Sequence, residues 1–367
     1  MRIVQIIALA AVVLFGCHRA DDRNGPGETR QSGDNRPKGE NAAELTGAGA
    51  TFPYPLYSKW ISVYAKSHPE VKINYQSIGS GGGIRQITER TVDFGASDAP
   101  MTDEELARAP APLLHVPMTL GAVTITYNAG NLKQPLRLNP DVIAGVFLGE
   151  IKTWNDPKLV ALNPGVNLPS APITVVHRSD GSGTTAIFTE YLASAVPRWK
   201  EKVGAGKSVN FPVGLGAKGN EGVAGQLRTS PGGFGYVELA YAVESKLPVA
   251  SVQNQAGQFV APSLEGITAA AASSTARIPP DMRALIINPP GADAYPISGF
   301  TYVLVYRDQT DPAKGRALAQ FLWWAVHDGQ EFGPPLHYGK LPPEIVGRVE
   351  EELRTIEANG RSVLAQR

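Results

Sequence analysis

Cysteine occurs once in the 367 residues, at Cys17, so the folded part can form no internal disulfide and no metal site built on paired cysteines. Histidine is scarce as well. The six are scattered, none stands in an H-E-x-x-H arrangement, and His18 and His115 have no ligand partners nearby. Neither sign of charge is in excess: 34 Lys and Arg balance 34 Asp and Glu, which argues against the broad basic surface of a nucleic-acid binder. It leaves room for a local anion site, because a few oriented dipoles and one arginine suffice for that in a neutral protein. No internal repeat of fixed period is present. What is there is ample apolar material, 43% of residues, enough to bury a core in a chain whose length suggests two domains.

The N-terminus carries an address. Met1 and Arg2 open it, and an apolar run from Ile3 to Phe15 follows, about thirteen residues, short for a membrane span and suited to a signal-peptide core. The run ends in Leu14, Phe15, Gly16 and Cys17, which resembles the lipobox of bacterial lipoproteins. Cleavage there makes 1–16 a signal peptide and Cys17 a lipidated first residue, whose several acyl chains anchor stably to a membrane. From His18 to about Ala43 the chain is polar and proline-bearing and cannot bury enough surface to offset its ordering entropy. Residues 17–44 are therefore expected to be a lipidated tether.

Beyond Leu45, β-rich runs alternate with helical ones, so the body reads as α/β. Val71, Ile73 and Tyr75 alternate as a strand, residues 77–83 form a loop, and Ile84, Ile87 and Thr91 follow at helical spacing. Strands are expected at 123–127, 172–176 and 300–306. Asn139-Pro140-Asp141 and Asp311-Pro312 are helix starts, with a capping side chain and proline at the first helical position. The small-residue stretch 266–276 reads as a surface helix or loop without chemical content.

Three segments share one design. Residues 47–53 (GAGATFP) lead into a helix bearing Leu56, Trp60 and Val63; 79–84 (GSGGGI) run from a strand into a helix; 178–185 (RSDGSGTT) do the same before Ile187 to Leu192. Each places a small hydroxyl residue (Thr51, Ser80, or Ser182 and Thr184) beside Gly or Ala at a helix start. The first amides of a helix have no internal acceptor and carry the positive end of its dipole, so such termini attract anions. The same residues also serve as ordinary N-caps. Arg178 adds a planar fork suited to a tetrahedral oxyanion. Asp98, at the end of the run 92–98 (VDFGASD), repels a fully deprotonated ligand but accepts a hydrogen bond from one that keeps a proton. Phosphate keeps one near neutrality, its second pKa lying about a unit above the roughly 6 of its monoesters, and sulfate keeps none. A site built around such a bond rejects the analogue lacking it by about 10⁴-fold or more. Asp98 read instead as a turn cap carries no such message.

These segments resemble the phosphate-binding proteins of bacterial high-affinity phosphate ABC transporters. The likeness rests on 45–53 (LTGAGATFP), 78–83 (IGSGGG), 92–98 (VDFGASD) and 178–184 (RSDGSGT), with 147–155 (FLGEIKTWN), 214–220 (GLGAKGN) and 235–238 (GYVE) in the same order. It implies the type II periplasmic binding protein fold, two α/β lobes joined by crossover strands with the ligand in the cleft between them. Lobe 1 is then about 45–117 plus 296–367, and lobe 2 about 118–295. It further implies phosphate contacts from Thr51, Phe52 (through its amide), Ser80, Asp98, Arg178, Ser182, Gly183 and Thr184, with Asp180 orienting Arg178. No cofactor or metal is implied. The partners are phosphate, the permease subunits of an ABC transporter and, through Cys17, a membrane. The location is the periplasm or cell surface. Some members carry Ser at the position of Gly81 and Arg at that of His177. Two alternatives stay open: a secreted phosphatase with Ser182 as nucleophile and His177 as base, and a binder of another oxyanion or a phosphate sensor without a transport role.

Overall fold

The computed structural model describes residues 42–364 apart from Asn131 and Lys133. The expected signal segment 1–16, the anchor Cys17 and nearly all of the tether lie outside the described residues. The tether's expected end at residue 44 is too late by two residues. Ala43 and Glu44 already belong to β1, where Ala43 pairs with Val71 and Glu44 with Lys72.

Eight strands build the main sheet: β1 (Ala43–Gly49), β2 (Val71–Ser77), β3 (Phe94–Ser97), β4 (Leu113–Asn128), β5 (Thr174–Arg178), β6 (Leu215–Ala217), β7 (Gly233–Glu238) and β8 (Ser298–Tyr306). Their spatial order is β2-β1-β3-β8-β4-β7-β5-β6. β2, β1 and β3 run parallel, as do β7, β5 and β6, while β8 and β4 are antiparallel to their neighbours. β4 is shared by two partners. Its residues 113–122 pair with β8 and its residues 123–128 with β7, so the sheet changes partner between Ala122 and Val123. The strand expected at 123–127 is thus only the second half of a 16-residue strand. Its middle is buried on both faces, and β8 is buried along its whole length, which removes the polar alternation by which strands are read in sequence.

Six helices matter to the site. α1 (Tyr54–Ser67) buries Leu56, Tyr57, Trp60 and Tyr64, whereas Val63 is only partly covered. α2 (Ser80–Thr88) begins inside the expected 77–83 loop, because its glycines pack where side chains do not fit: a Cβ on Gly83 would lie 2.6 Å from the Gly49 Cα. α3 (Asp103–Leu106) is a single turn closed by a Thr102–Glu105 capping box. α4 (Gly183–Ala195) and α5 (Gly219–Thr229) follow β5 and β6. α6 (Pro312–Val326) starts as expected, with Asp311 accepting from the Ala313 amide at 2.9 Å and the Lys314 amide at 3.1 Å. The other expected start holds too, Asn139 accepting from the Val142 amide at 2.9 Å. The stretch 266–276 departs from expectation. It lies mostly in a helix, Leu264–Ala272, whose Ile267 and Ala270 are buried, since alanine-rich faces pack closely against the strands beneath.

Leu304, fully buried at the centre of β8, offers a direct test of this core. Leu304→Ala should cost about 2–5 kcal/mol through transfer and cavity terms. Asp311→Ala, which removes an exposed cap, should cost about 1 kcal/mol. Denaturant unfolding of both variants compares them, and equal costs would contradict the placement of β8 at the core.

Candidate anion-binding site

The C-terminal ends of six strands meet at one place. β1 leads to Thr51 and Phe52, β2 to Ser80, β3 to Asp98, β5 to Arg178–Thr184, β6 to Asn220, and β7 ends in Glu238. In open α/β sheets this is the end at which ligands bind. Thr51, Phe52, Ser80, Asp98, Ser182 and Thr184 are at most 2% exposed and Arg178 4% exposed, so the side chains expected to touch ligand are inside the protein, while Asp180 is half-buried.

Hydrogen bonds join them in two chains. In the first, the Asn220 amide side chain donates to the Thr51 hydroxyl at 2.8 Å and to the Thr184 hydroxyl at 3.1 Å. Arg178 Nη1 also donates to Thr184, at 3.4 Å, and its Nε and Nη2 grip the two oxygens of Asp180 at 2.7 and 2.5 Å. In the second, the Gly183 and Asp98 amides donate to Ser80 Oγ at 3.0 and 3.3 Å, Ser80 donates to Asp98 Oδ2 at 3.4 Å, and Thr301 donates to Asp98 Oδ1 at 2.9 Å.

The direction of these bonds decides what the site offers. Thr51 and Thr184 accept from Asn220, and Ser182 accepts from the Thr185 amide at 3.0 Å, so each hydroxyl has a donor behind it and its own proton left to give. Ser182 is therefore both the N-cap of α4 and a candidate donor. Neither α1 nor α2 has a side-chain cap, and the amides of Phe52, Ser80 and Thr184 find no protein acceptor among the described residues. Three helix starts thus present amide hydrogens in one buried region.

Glycine is required here by space. A Cβ on Gly183 would fall 2.6 Å from Ser80 Oγ and 2.7 Å from the Asp98 amide nitrogen, and one on Gly81 would fall 3.1 Å from the Gly181 Cα. The Gly81 amide donates to the Gly181 carbonyl at 2.9 Å, so the segments after β2 and β5 touch backbone to backbone.

Burial pushes the Asp98 carboxyl up to about 7, against the lowering pull of the Thr301 hydroxyl, the Arg178 charge and Ser80. Asp180 moves the other way. Burial disfavours its charge, but the hydrogen bonds and charge of Arg178, with the Gly219 amide at 3.1 Å, hold it below the ordinary carboxylate range. The two carboxylates therefore play different parts: Asp180 is the fixed counter-ion of Arg178, and Asp98 changes charge near neutrality. Glu238, also fully buried, is raised well above its usual value by burial; its Oε2 accepts from the Ala240 amide at 2.7 Å and lies 3.2 Å from the Tyr338 hydroxyl.

Sequence reasoning missed Asn220, Thr301, Tyr241 and Tyr338. The last two donate to the carbonyls of Thr51 and Phe52 at 2.6 and 2.7 Å. Asn220 and Glu238 close motifs noted as family likenesses, but nothing in their spacing marked their partners. The Ser182–His177 pair of the phosphatase alternative is not assembled. His177 Nδ1 bonds the Arg178 carbonyl at 2.9 Å, and the ring stacks on Phe211 at 4.3 Å. His115 is a buried packing residue whose Nε2 accepts from the Met101 amide at 3.0 Å. Among the described residues no group of three or more His, Cys, Asp or Glu is placed to hold a metal ion. No described helix is long and apolar enough to cross a membrane.

A buried polar centre at the strand ends, lined by helix starts and crossed by the shared strand β4, together with the family match below, defines a solute-binding protein of the type II periplasmic binding fold. Residues 34–328 match the PBP superfamily domain. The phosphate-binding protein PstS of Xylella fastidiosa (strain Temecula1) is 41% identical over 344 residues, covering 93% of this chain and 94% of the relative. That of Pasteurella multocida is 44% identical over 315 residues, covering 86% and 91%. The phosphate-binding protein of Stenotrophomonas maltophilia, 20% identical, shares the fold with a TM-score of 0.66 over 84% of this chain and 94% of that one. The chain belongs to the PBP superfamily and, within it, to the PstS family of phosphate-binding proteins.

The raised Asp98 value makes stability depend on pH. Between pH 3.8 and about 7 the folded chain keeps a proton that the unfolded chain has released, so this stabilisation is complete at low pH and is lost as pH rises to about 7. The loss is on the order of 4 kcal/mol. Unfolding of the ligand-free protein and of Asp98→Asn at pH 5 and pH 8 should give a steeper decline in wild type than in the variant, whose remaining decline comes from the other buried carboxyls Glu238 and Glu352; equal declines would remove Asp98 as a source.

Proposed function

We propose that the chain binds inorganic phosphate at this centre and hands it to the permease subunits of a phosphate ABC transporter. One observation carries the ligand: three amides without protein acceptors, hydroxyls whose protons are free to donate, and the Arg178 guanidinium converge on a region that also holds Asp98. Donors of that number suit a tetrahedral oxyanion, and Asp98 suits one that still carries a proton. The relatives named above are phosphate-binding proteins, which supports the same ligand. In this reading Thr51, Phe52, Ser80 (through its amide), Arg178, Ser182 and Thr184 donate, Gly183 exchanges its bond to Ser80 for one to the ligand, Asp98 accepts, and Asp180 holds Arg178 in place. The site acts by binding and makes no covalent step.

In this reading the lobes are about 45–117 with 296–364 and about 118–295, and β4 crosses between them, exchanging β8 for β7 as its partner between Ala122 and Val123. The two sides touch through the Gly81–Gly181 bond and a Lys207–Glu105 ion pair of 2.7 Å whose side chains are 16% and 23% exposed. Opening the cleft breaks these contacts and frees the ligand, so phosphate, permease and lobe closure are linked through one equilibrium. Export to the periplasm or cell surface follows from the signal-like N-terminus, with Cys17 as the lipid anchor.

Calorimetric titration should give one phosphate per chain and much weaker sulfate binding at pH 8; equal affinities would sink the role of Asp98. Arg178→Ala should weaken phosphate by about 3 kcal/mol, roughly a hundredfold, as expected for loss of a hydrogen bond to a charged group. Mass spectrometry of the mature protein should find acyl chains on Cys17, and an unmodified N-terminus refutes the anchor.

A further inference from the structure

We propose that Thr301 is a specificity-determining residue of this site: by donating to Asp98 from behind, it keeps that carboxylate an acceptor and so excludes oxyanions that carry no proton. The proposal rests on the phosphate reading above and goes beyond the residues that contact the ligand.

The geometry is one-sided. Asp98 is 1% exposed, and its two oxygens have unequal partners: Thr301 Oγ1 at 2.9 Å on Oδ1, and Ser80 Oγ at a long 3.4 Å on Oδ2. Thr301 is itself fully buried on β8, across from Thr119 of β4, so its hydroxyl has no water to turn to. Tyr57, on the inner face of α1, brings a buried hydroxyl with no partner of its own close to Thr301. Among the described residues the Thr301 hydroxyl makes its hydrogen bond to Asp98, and a carboxylate has no proton to give in return, so Thr301 is the donor.

The other groups facing Asp98 do not supply this bond. Arg178 and Asp180 act on it through space with opposite signs, and each is engaged with the other. Glu238 and the phenols of Tyr75, Tyr241 and Tyr338 make no hydrogen bond to it among the described residues, and burial disfavours the charged form of each. Thr301 is therefore the short hydrogen bond that specifically favours the ionised form. Without it, Asp98 takes up a proton at higher pH and becomes a donor, and a donor there welcomes sulfate. A threonine in the middle of an apolar strand is easily read as a tolerated core residue; its hydroxyl, not its methyl, is what the site uses.

The test compares Thr301→Val, which keeps the shape and removes the donor, with Thr301→Ser, which keeps the donor. Phosphate and sulfate affinities are measured for both and for wild type from pH 5.5 to pH 8.5. A hydrogen bond to a charged group is worth about tenfold or more in the charge equilibrium. In Thr301→Val the onset of sulfate binding should move up by about one pH unit, raising sulfate affinity at pH 8.5 about tenfold relative to phosphate. Thr301→Ser should behave as wild type. An unchanged phosphate-to-sulfate ratio in Thr301→Val, or the same loss in both variants, overturns the proposal. If Thr301→Val does not fold, Thr301→Ala takes its place with the same expected outcome. If wild type binds neither anion, the phosphate reading fails. The Thr301 claim is then judged on ligand-free protein, by carbon-13 NMR titration of the Asp98 carboxyl (assigned with Asp98→Asn): an upward shift in the variant supports it and no shift refutes it.

Discussion

Everything in this site is arranged around a carboxylate that has been taken out of water. Asp98 sits among amide hydrogens and beside a guanidinium, yet burial outweighs them and leaves it at about 7. That is a balance between desolvation, which favours the neutral acid, and the Thr301 and Ser80 hydroxyls with the Arg178 charge, which favour the ion. A centre made only of donors would take any small anion of the right size. In the proposed reading, an acceptor with a near-neutral titration in the middle makes the number of protons on the ligand the selected quantity.

Asp180 makes this possible by neutralising Arg178 without removing it. The bidentate pair leaves Nη1 directed at Thr184 and fixes the plane of the guanidinium. Breaking one partner of so buried a pair would strand a charge, which is why both belong to the machinery although only Arg178 is read as touching ligand. Asn220 plays the neutral counterpart. By donating to Thr51 and Thr184 at once, it ties the segments after β1 and β5 together and turns both hydroxyl protons outward.

The fold makes these arrangements cooperative. β4 runs through both halves of the sheet, with β8 alongside its first half, so the six strand ends that carry the site are held by two buried central strands. Backbone contact at Gly81 and Gly181 and the Lys207–Glu105 pair then join the rims. In the proposed two-lobe reading a carboxylate is kept this dry only while those rims meet, which would couple the chemistry of Asp98 to closure.

Much of this was legible before any coordinates. The glycine-flanked hydroxyls at 51, 80, 182 and 184, Arg178 with Asp180, and Asp98 are local signals, because capping, glycine conformation and short-range ion pairing act within a few residues of sequence. The caps at Asn139 and Asp311 were readable for the same reason. What stayed hidden depends on pairs far apart in the chain: Asn220 with Thr51, Thr301 with Asp98, Tyr338 with Phe52. The early start of α2 and the full length of β4 were hidden too, since a helix packed on glycines and a strand buried on both faces lose the periodicity that marks them. The sequence by itself determined which chemistry is available, and the tertiary structure decided which group faces which. A hydroxyl becomes a donor or an acceptor, and a carboxyl charged or neutral, only through neighbours that folding brings from elsewhere.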